Sequence, residues 1–173
     1  MTRIVRIVDT ISEISGRLSA WMFFAIGLFI TWEVVMRYVF TAPTIWVDEV
    51  SRIMQVWATY LAAAWVLKHR QMITIEIFLK DPNSLGRKLA ETLAVVMLLI
   101  FAVTAMKFGF QLWLKSTLAG HTTDSYLASP KWLTHASVWV GMALLILQAV
   151  VELYRVWVIG LPADEHDPLA ELG

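Results

Sequence analysis

Four long apolar segments joined by short polar connections predict an all-α integral membrane protein. The expected form has four transmembrane helices, both termini on the cytoplasmic side, and an amphipathic helix in the membrane interface at the N-terminus. Three observations carry that expectation. The 173 residues are 58% hydrophobic with a mean hydropathy of +0.65, more apolar than a soluble core of this size can hide when about 45 to 50% is ordinary. Trp46, Trp65, Trp132 and Trp157 stand near segment ends, where amphipathic rings suit the membrane–water boundary. Lysine and arginine fall unevenly about the segments: Arg3, Arg6, Arg17, Lys68, Arg70, Lys80, Arg87, Lys88 and Arg155 on one side, against Arg37, Arg52, Lys115 and Lys131 on the other.

Residues 3–15 place Ile4, Ile7, Ile11 and Ile14 at helical spacing, with Arg3, Arg6, Asp9 and Glu13 largely opposite. This predicts an interfacial helix with its arginines toward phospholipid headgroups, or else a cytosolic extension of the first span. The first span covers about 18–40, long enough at about 1.5 Å per residue to cross a hydrocarbon core of about 30 Å. Glu33 and Arg37 lie in its last turns at i, i+4, acid first, the better order for a helical ion pair.

Pro43 cannot continue a helix and biases Ala42 to an extended conformation, so a tight turn brings the second span, about 46–67, back antiparallel. Asp48 and Glu49 open it, where acids suit the positive end of the helix dipole, and Arg52 follows one turn later. Glu33, Arg37, Asp48, Glu49 and Arg52 therefore occupy similar depths, which predicts a single ion network or a site completed by a partner. Lys68 and Arg70 then join Arg3 and Arg6 as basic groups at the opposite membrane surface. Ile73, Ile75 and Ile77 alternate with polar residues, predicting an extended piece, and 81–84 read as a turn with Asn83 or Ser84 capping the next helix.

The third span covers about 89–115, or reaches Leu118, with Lys107 and Gln111 one turn apart on a face directed into protein or toward the surface. A polar loop follows, in which Ser129 is expected to cap the fourth helix with Pro130 at its first position. The fourth span covers about 132–158, anchored by Trp132, Tyr154 and Trp157. Residues 161–173 form a short acidic tail. The whole chain reads as one membrane domain.

Several function classes are excluded. Fourteen basic and fourteen acidic residues balance, so no polybasic surface points to nucleic acid. Without cysteine there is no disulfide, thiolate nucleophile or iron–sulfur site. The first apolar run is too long for the h-region of a cleavable signal peptide. No phosphate loop, zinc motif or nucleophile elbow is present, and no cofactor, metal or enzymatic activity is expected. Of four histidines only His135 lies inside a span, too few for paired haem ligands across a bundle. Trp57, Tyr60 and Ala64 form a stripe suited to packing.

The run Trp32-Glu33-Val34-Val35-Met36-Arg37-Tyr38-Val39-Phe40, then Trp46-Val47-Asp48-Glu49, Trp57, Ala62-Ala63-Ala64 and Lys68-His69-Arg70, resembles the small membrane subunit of tripartite ATP-independent periplasmic (TRAP) transporters. Where family members often carry a histidine after the second span, this chain has Met72 to Glu76. The resemblance implies residence in a bacterial inner membrane. It also implies pairing with a large permease subunit that carries substrate and sodium by an elevator motion, and delivery of an organic acid by a soluble periplasmic binding protein. The small subunit would brace the stationary scaffold and offer part of the docking surface. A membrane anchor for a redox complex and a small self-sufficient exporter are the competing readings.

Overall fold

The computed structural model describes residues 2–69 and 85–159. They form four helices: α1 (Thr2–Tyr38), α2 (Ile45–Lys68), α3 (Leu85–Leu118) and α4 (Lys131–Tyr154), the last running on through a π-helical stretch at Arg155–Ile159. Arg70, the alternating segment 73–77, the expected turn at 81–84 and the acidic tail lie outside the described residues. Among the described residues three stretches are long and apolar enough to cross a membrane: Arg3–Tyr38, Leu85–Leu118 and Lys131–Val158. α2 is not among them.

Its exposed positions between Val47 and Lys68, namely Asp48, Arg52, Gln55 and Thr59, are all polar. α2 packs on α1 along one face and on α4 along another, while α3 packs on α4, so the helices are ordered α1, α2, α4, α3. Ser19 Oγ of α1 donates to the backbone carbonyl of Ala58 at 2.9 Å, and Trp57 Nε1 of α2 donates to the Leu133 carbonyl of α4 at 2.9 Å. Packing on two sides leaves α2 one narrow outward face. Leu67 of α2 joins Ala102 of α3 and Met142, Leu145 and Ala149 of α4 in the buried core.

The N-terminal segment corrects an expectation. α1 is one continuous helix of 37 residues, about 55 Å at about 1.5 Å per residue, so residues 3–15 are an extension of the first span and not a separate interfacial helix. Its polarity is also reversed. Ile4 and Ile14 are 66% and 61% exposed, whereas Ser12, Ser15 and Ser19 are buried. Ser12, Ser15, Ser19, Ile26 and Glu33 recur at three-, four- and seven-residue steps, the spacing of a helix–helix seam. Small side chains on that seam let α1 approach closely.

Close approach is sharpest at two glycines. A Cβ on Gly16 would lie 2.3 Å from the ring of Trp65, so Trp65, expected as an interface anchor, is half-buried as a wedge between α1 and α2. It also stacks on His69 with centroids 4.2 Å apart. A Cβ on Gly141 of α4 would meet Tyr60 of α2 at 2.5 Å from its Cβ and 2.7 Å from its backbone oxygen. Trp57, Tyr60 and Ala64 are thus packing residues. Trp46, Trp132 and Trp157 are exposed, Trp46 with its ring edge-on to Phe29 at 5.8 Å.

Gly141→Ala forces α2 and α4 apart and is expected to lower the melting temperature of the detergent-solubilised chain, at a cost of about 1 to 3 kcal/mol. Gly27→Ala, where an added Cβ meets nothing within 4 Å, should leave the melt unchanged or raise it, because alanine is the better helix former by up to about 1 kcal/mol. A melt that ranks the two variants the other way contradicts the packing described.

Candidate functional site

At one end of the bundle lie the α1–α2 turn and the α3–α4 loop, and there two buried carboxylates each fasten a connection. Glu33 Oε1 accepts from Arg37 Nε at 3.1 Å and Nη2 at 2.6 Å. Glu33 Oε2 accepts from the Thr44 backbone N–H at 2.7 Å and also from the Thr44 hydroxyl. Thr44 is the residue before α2, but its side chain makes no cap because it is turned to Glu33. The last turn of α1 and the start of α2 are thereby joined through one carboxylate. Thr41 takes a left-handed φ of 51°, uncommon for a β-branched residue, and the Ala42 N–H reaches back to the Met36 carbonyl at 3.0 Å.

Glu49, 9% exposed, does the same for the other connection. Its Oε1 accepts from Thr123 Oγ1 at 2.8 Å, Ser125 Oγ at 2.6 Å and the Ser129 N–H at 3.2 Å, and its Oε2 from the Leu127 N–H at 3.3 Å. Such a carboxylate is held by neutral donors alone, each removing part of the cost of burying the charge. The loop itself begins with a helix terminator. Gly120 has φ +60°, the His121 N–H bonds to the Ser116 carbonyl and the Gly120 N–H to that of Thr117, the paired bonds of a left-handed glycine ending. Its far end closes where the Lys131 N–H meets the His121 carbonyl at 2.9 Å. Pro130 is the residue before α4, and Ser129, expected as the cap, bonds instead to Glu49 and Thr123.

Within this chain the five residues form three separate groups and not one ion network, which leaves the other expectation, a site completed by a partner. Asp48 and Arg52 pair with each other at 2.7 Å on the exposed surface. Among the described residues no ion pair or hydrogen bond joins that pair, the Glu33–Arg37 pair and Glu49. Similar depth brought them to one end of the bundle, but helical phase sent Glu49 toward α4 and its loop while Asp48, one residue earlier, points outward.

A larger polar cluster lies at the opposite end. Arg155 is paired with Asp9 of α1 and reaches Glu152 at 2.7 Å. Gln148, fully buried, accepts from Ser12 Oγ at 2.7 Å and donates to Glu152 at 3.1 Å. Lys68 Nζ donates to Glu13 at 2.9 Å, and His69 lies 3.7 Å from the same carboxylate. Arg3 and Arg6 remain exposed. The sequence reading missed this cluster because Asp9 and Glu13 were placed on a headgroup-facing side and Arg155 served only to set orientation. The available signal was Gln148 and Glu152, one turn apart in an otherwise apolar segment. His135 presents Nδ1 to Ser116 Oγ at 2.8 Å, and Lys107 and Gln111 lie on the exposed face of α3.

Fold and site together define a helical membrane protein whose polar side chains tie its own helix ends and loops together. Residues 26–158 match the family model described as tripartite ATP-independent periplasmic transporters, DctQ component, so the chain belongs to that family, the small membrane subunit of TRAP transporters. It matches none of the curated proteins compared with it. The family works with a large membrane subunit and a solute-binding protein.

Glu49→Ala removes the acceptor for four donors, and hydrogen exchange at Leu127 and Ser129 is expected to quicken on the order of ten-fold or more while α2 amides are little changed. Unchanged exchange there would show that the loop holds its shape without the carboxylate. At the other end, a double-mutant cycle of Asp9→Asn and Arg155→Gln should give a coupling of about 0.5 to 3 kcal/mol in thermal unfolding; additive effects would remove the pair from the fold's support.

Proposed function

We propose that the chain is the non-catalytic small subunit of a sodium-coupled secondary transporter for organic acids. All four helices, α2 included, cross the bacterial inner membrane with both termini cytoplasmic. The small subunit braces the large permease subunit and contributes to docking of the periplasmic binding protein. The family match over residues 26–158 supports the subunit reading, and the observation that supports the docking part is the way Glu33 and Glu49 each lock a connection onto a helix end. Two loops held in fixed shape at one end supply a preformed surface, which lowers the ordering cost of binding a soluble partner. On that surface stand Tyr38, Phe40 and Tyr126, all exposed, beside the Asp48–Arg52 pair.

The bracing half of the proposal is supported by the outward faces of α1 and α3. Ile30 and Trp32 of α1, and Ile100, Phe101 and Phe108 of α3, are exposed over lengths that a lipid bilayer or a larger membrane protein would cover. The lysine and arginine distribution supports a periplasmic loop end.

Reconstituted alone into liposomes, the chain is expected to give no solute flux. Sodium-dependent uptake should appear when the large subunit and binding protein are added. Within that complete system Glu49→Ala should reduce uptake chiefly by weakening the response to binding-protein concentration. Flux from the isolated chain, or full uptake by the large subunit and binding protein without it, contradicts the proposal.

A further inference from the structure

α2 carries a stripe that its neighbours leave uncovered. Between Val47 and Lys68 the exposed residues are Asp48, Arg52, Gln55 and Thr59, and all four are polar. Their spacing of four, three and four puts them on one face of the helix, running about 17 Å at about 1.5 Å per residue. Asp48 and Arg52 pair with each other, and Thr59 Oγ1 donates to the backbone carbonyl of Gln55 at 2.8 Å. Among the described residues the Gln55 side-chain amide has no hydrogen-bond partner, leaving two donors and an acceptor unmet. The pattern is the inverse of that on α1 and α3, where the exposed positions are dominated by isoleucine, leucine and phenylalanine.

We infer that this stripe is the seat for a transmembrane segment of the large permease subunit, one that offers hydrogen-bonding side chains to Gln55 and Thr59. The inference rests on the proposed function, in which α2 crosses the membrane and a large integral partner is present. Thr59 lies 14 residues after Ile45, about 21 Å along the helix from the loop end, beyond the reach of a soluble protein docked on the loops. Acyl chains cannot satisfy an amide, and an unmet polar group in hydrocarbon is costly. A second copy related by a two-fold axis along the membrane normal would set Arg52 beside its own equivalent. A partner helix bearing its own polar groups covers the stripe without that conflict.

Because the chain has no cysteine, each single-cysteine variant carries one labelling site on this chain, and the unaltered chain in the same membranes reports labelling of its partners. Gln55→Cys, Thr59→Cys and a comparison site on another exposed face, Val150→Cys, are labelled with a photoreactive maleimide in membranes containing the complete transporter. The result expected is cross-linking of positions 55 and 59 to the large subunit, at higher yield than from position 150. Products from 55 and 59 that contain only lipid or a second copy of this chain overturn the inference, as does cross-linking to the large subunit from Val150→Cys alone. Gln55→Leu combined with Thr59→Val, which lipid would tolerate, should reduce co-purified large subunit by about three- to twenty-fold; unchanged retention removes the hydrogen-bonding seat. Co-purification of the unaltered chain separates the two levels. If it fails to retain the large subunit, the functional reading itself falls; if it retains the subunit while the stripe does not cross-link, the docking face alone is wrong.

Discussion

The arrangement depends on the double shielding of α2. A helix with protein on two sides presents little of its circumference to its surroundings, so the residues that would disqualify an isolated span become tolerable. Glu49 illustrates this: one residue from an outward-facing aspartate, it turns toward α4 and its loop and finds four donors. α1 and α3 have no such shelter, and their sequences are correspondingly apolar around most of the surface. Hydropathy alone ranks α2 below its neighbours, because its one uncovered face is polar at Asp48, Arg52, Gln55 and Thr59.

Both connections at the loop end are built on a common device with different chemistry. Glu33 combines a cation on its own helix with the first groups of the next helix, whereas Glu49 relies on hydroxyls and backbone N–H groups of a loop more than seventy residues away. The first contact closes a local turn. The second welds the α3–α4 loop to the start of α2, joining parts of the chain that sequence order separates. Ordering a loop this way costs conformational entropy at folding and none at the moment of binding.

Much of the fold was legible in the sequence. Long apolar runs gave four helices, Pro43 gave the tight turn, and the motif around Arg37 and Glu49 pointed to the family that residues 26–158 match. The site was legible only in part. Depth along a helix is readable from residue count, so Glu33, Arg37, Asp48, Glu49 and Arg52 were assigned to one end; rotational phase relative to a partner helix is not, so their division into three separate groups was hidden. The N-terminal segment misled for a related reason. Isoleucines on one side and charges on the other fit an interfacial helix, but in a membrane protein the apolar side can be the outer one, and here Asp9, Ser12 and Glu13 face protein. Gln148 and Glu152 were passed over because two polar residues do little to the average of a strongly apolar segment.

The serine seam of α1 carries a mechanical consequence. Ser12 is bonded to Gln148 of α4 and Ser19 to the Ala58 carbonyl of α2, two latches about ten ångströms apart along α1. If α1 slid by a turn, Ser19 would keep its bond to the Ser15 carbonyl at 3.0 Å, but the buried Gln148 amide and the Ala58 carbonyl would each lose the hydroxyl that α1 offers, so both contacts favour a single axial register. Sliding among these helices is thereby disfavoured relative to displacement where the chain borders another protein.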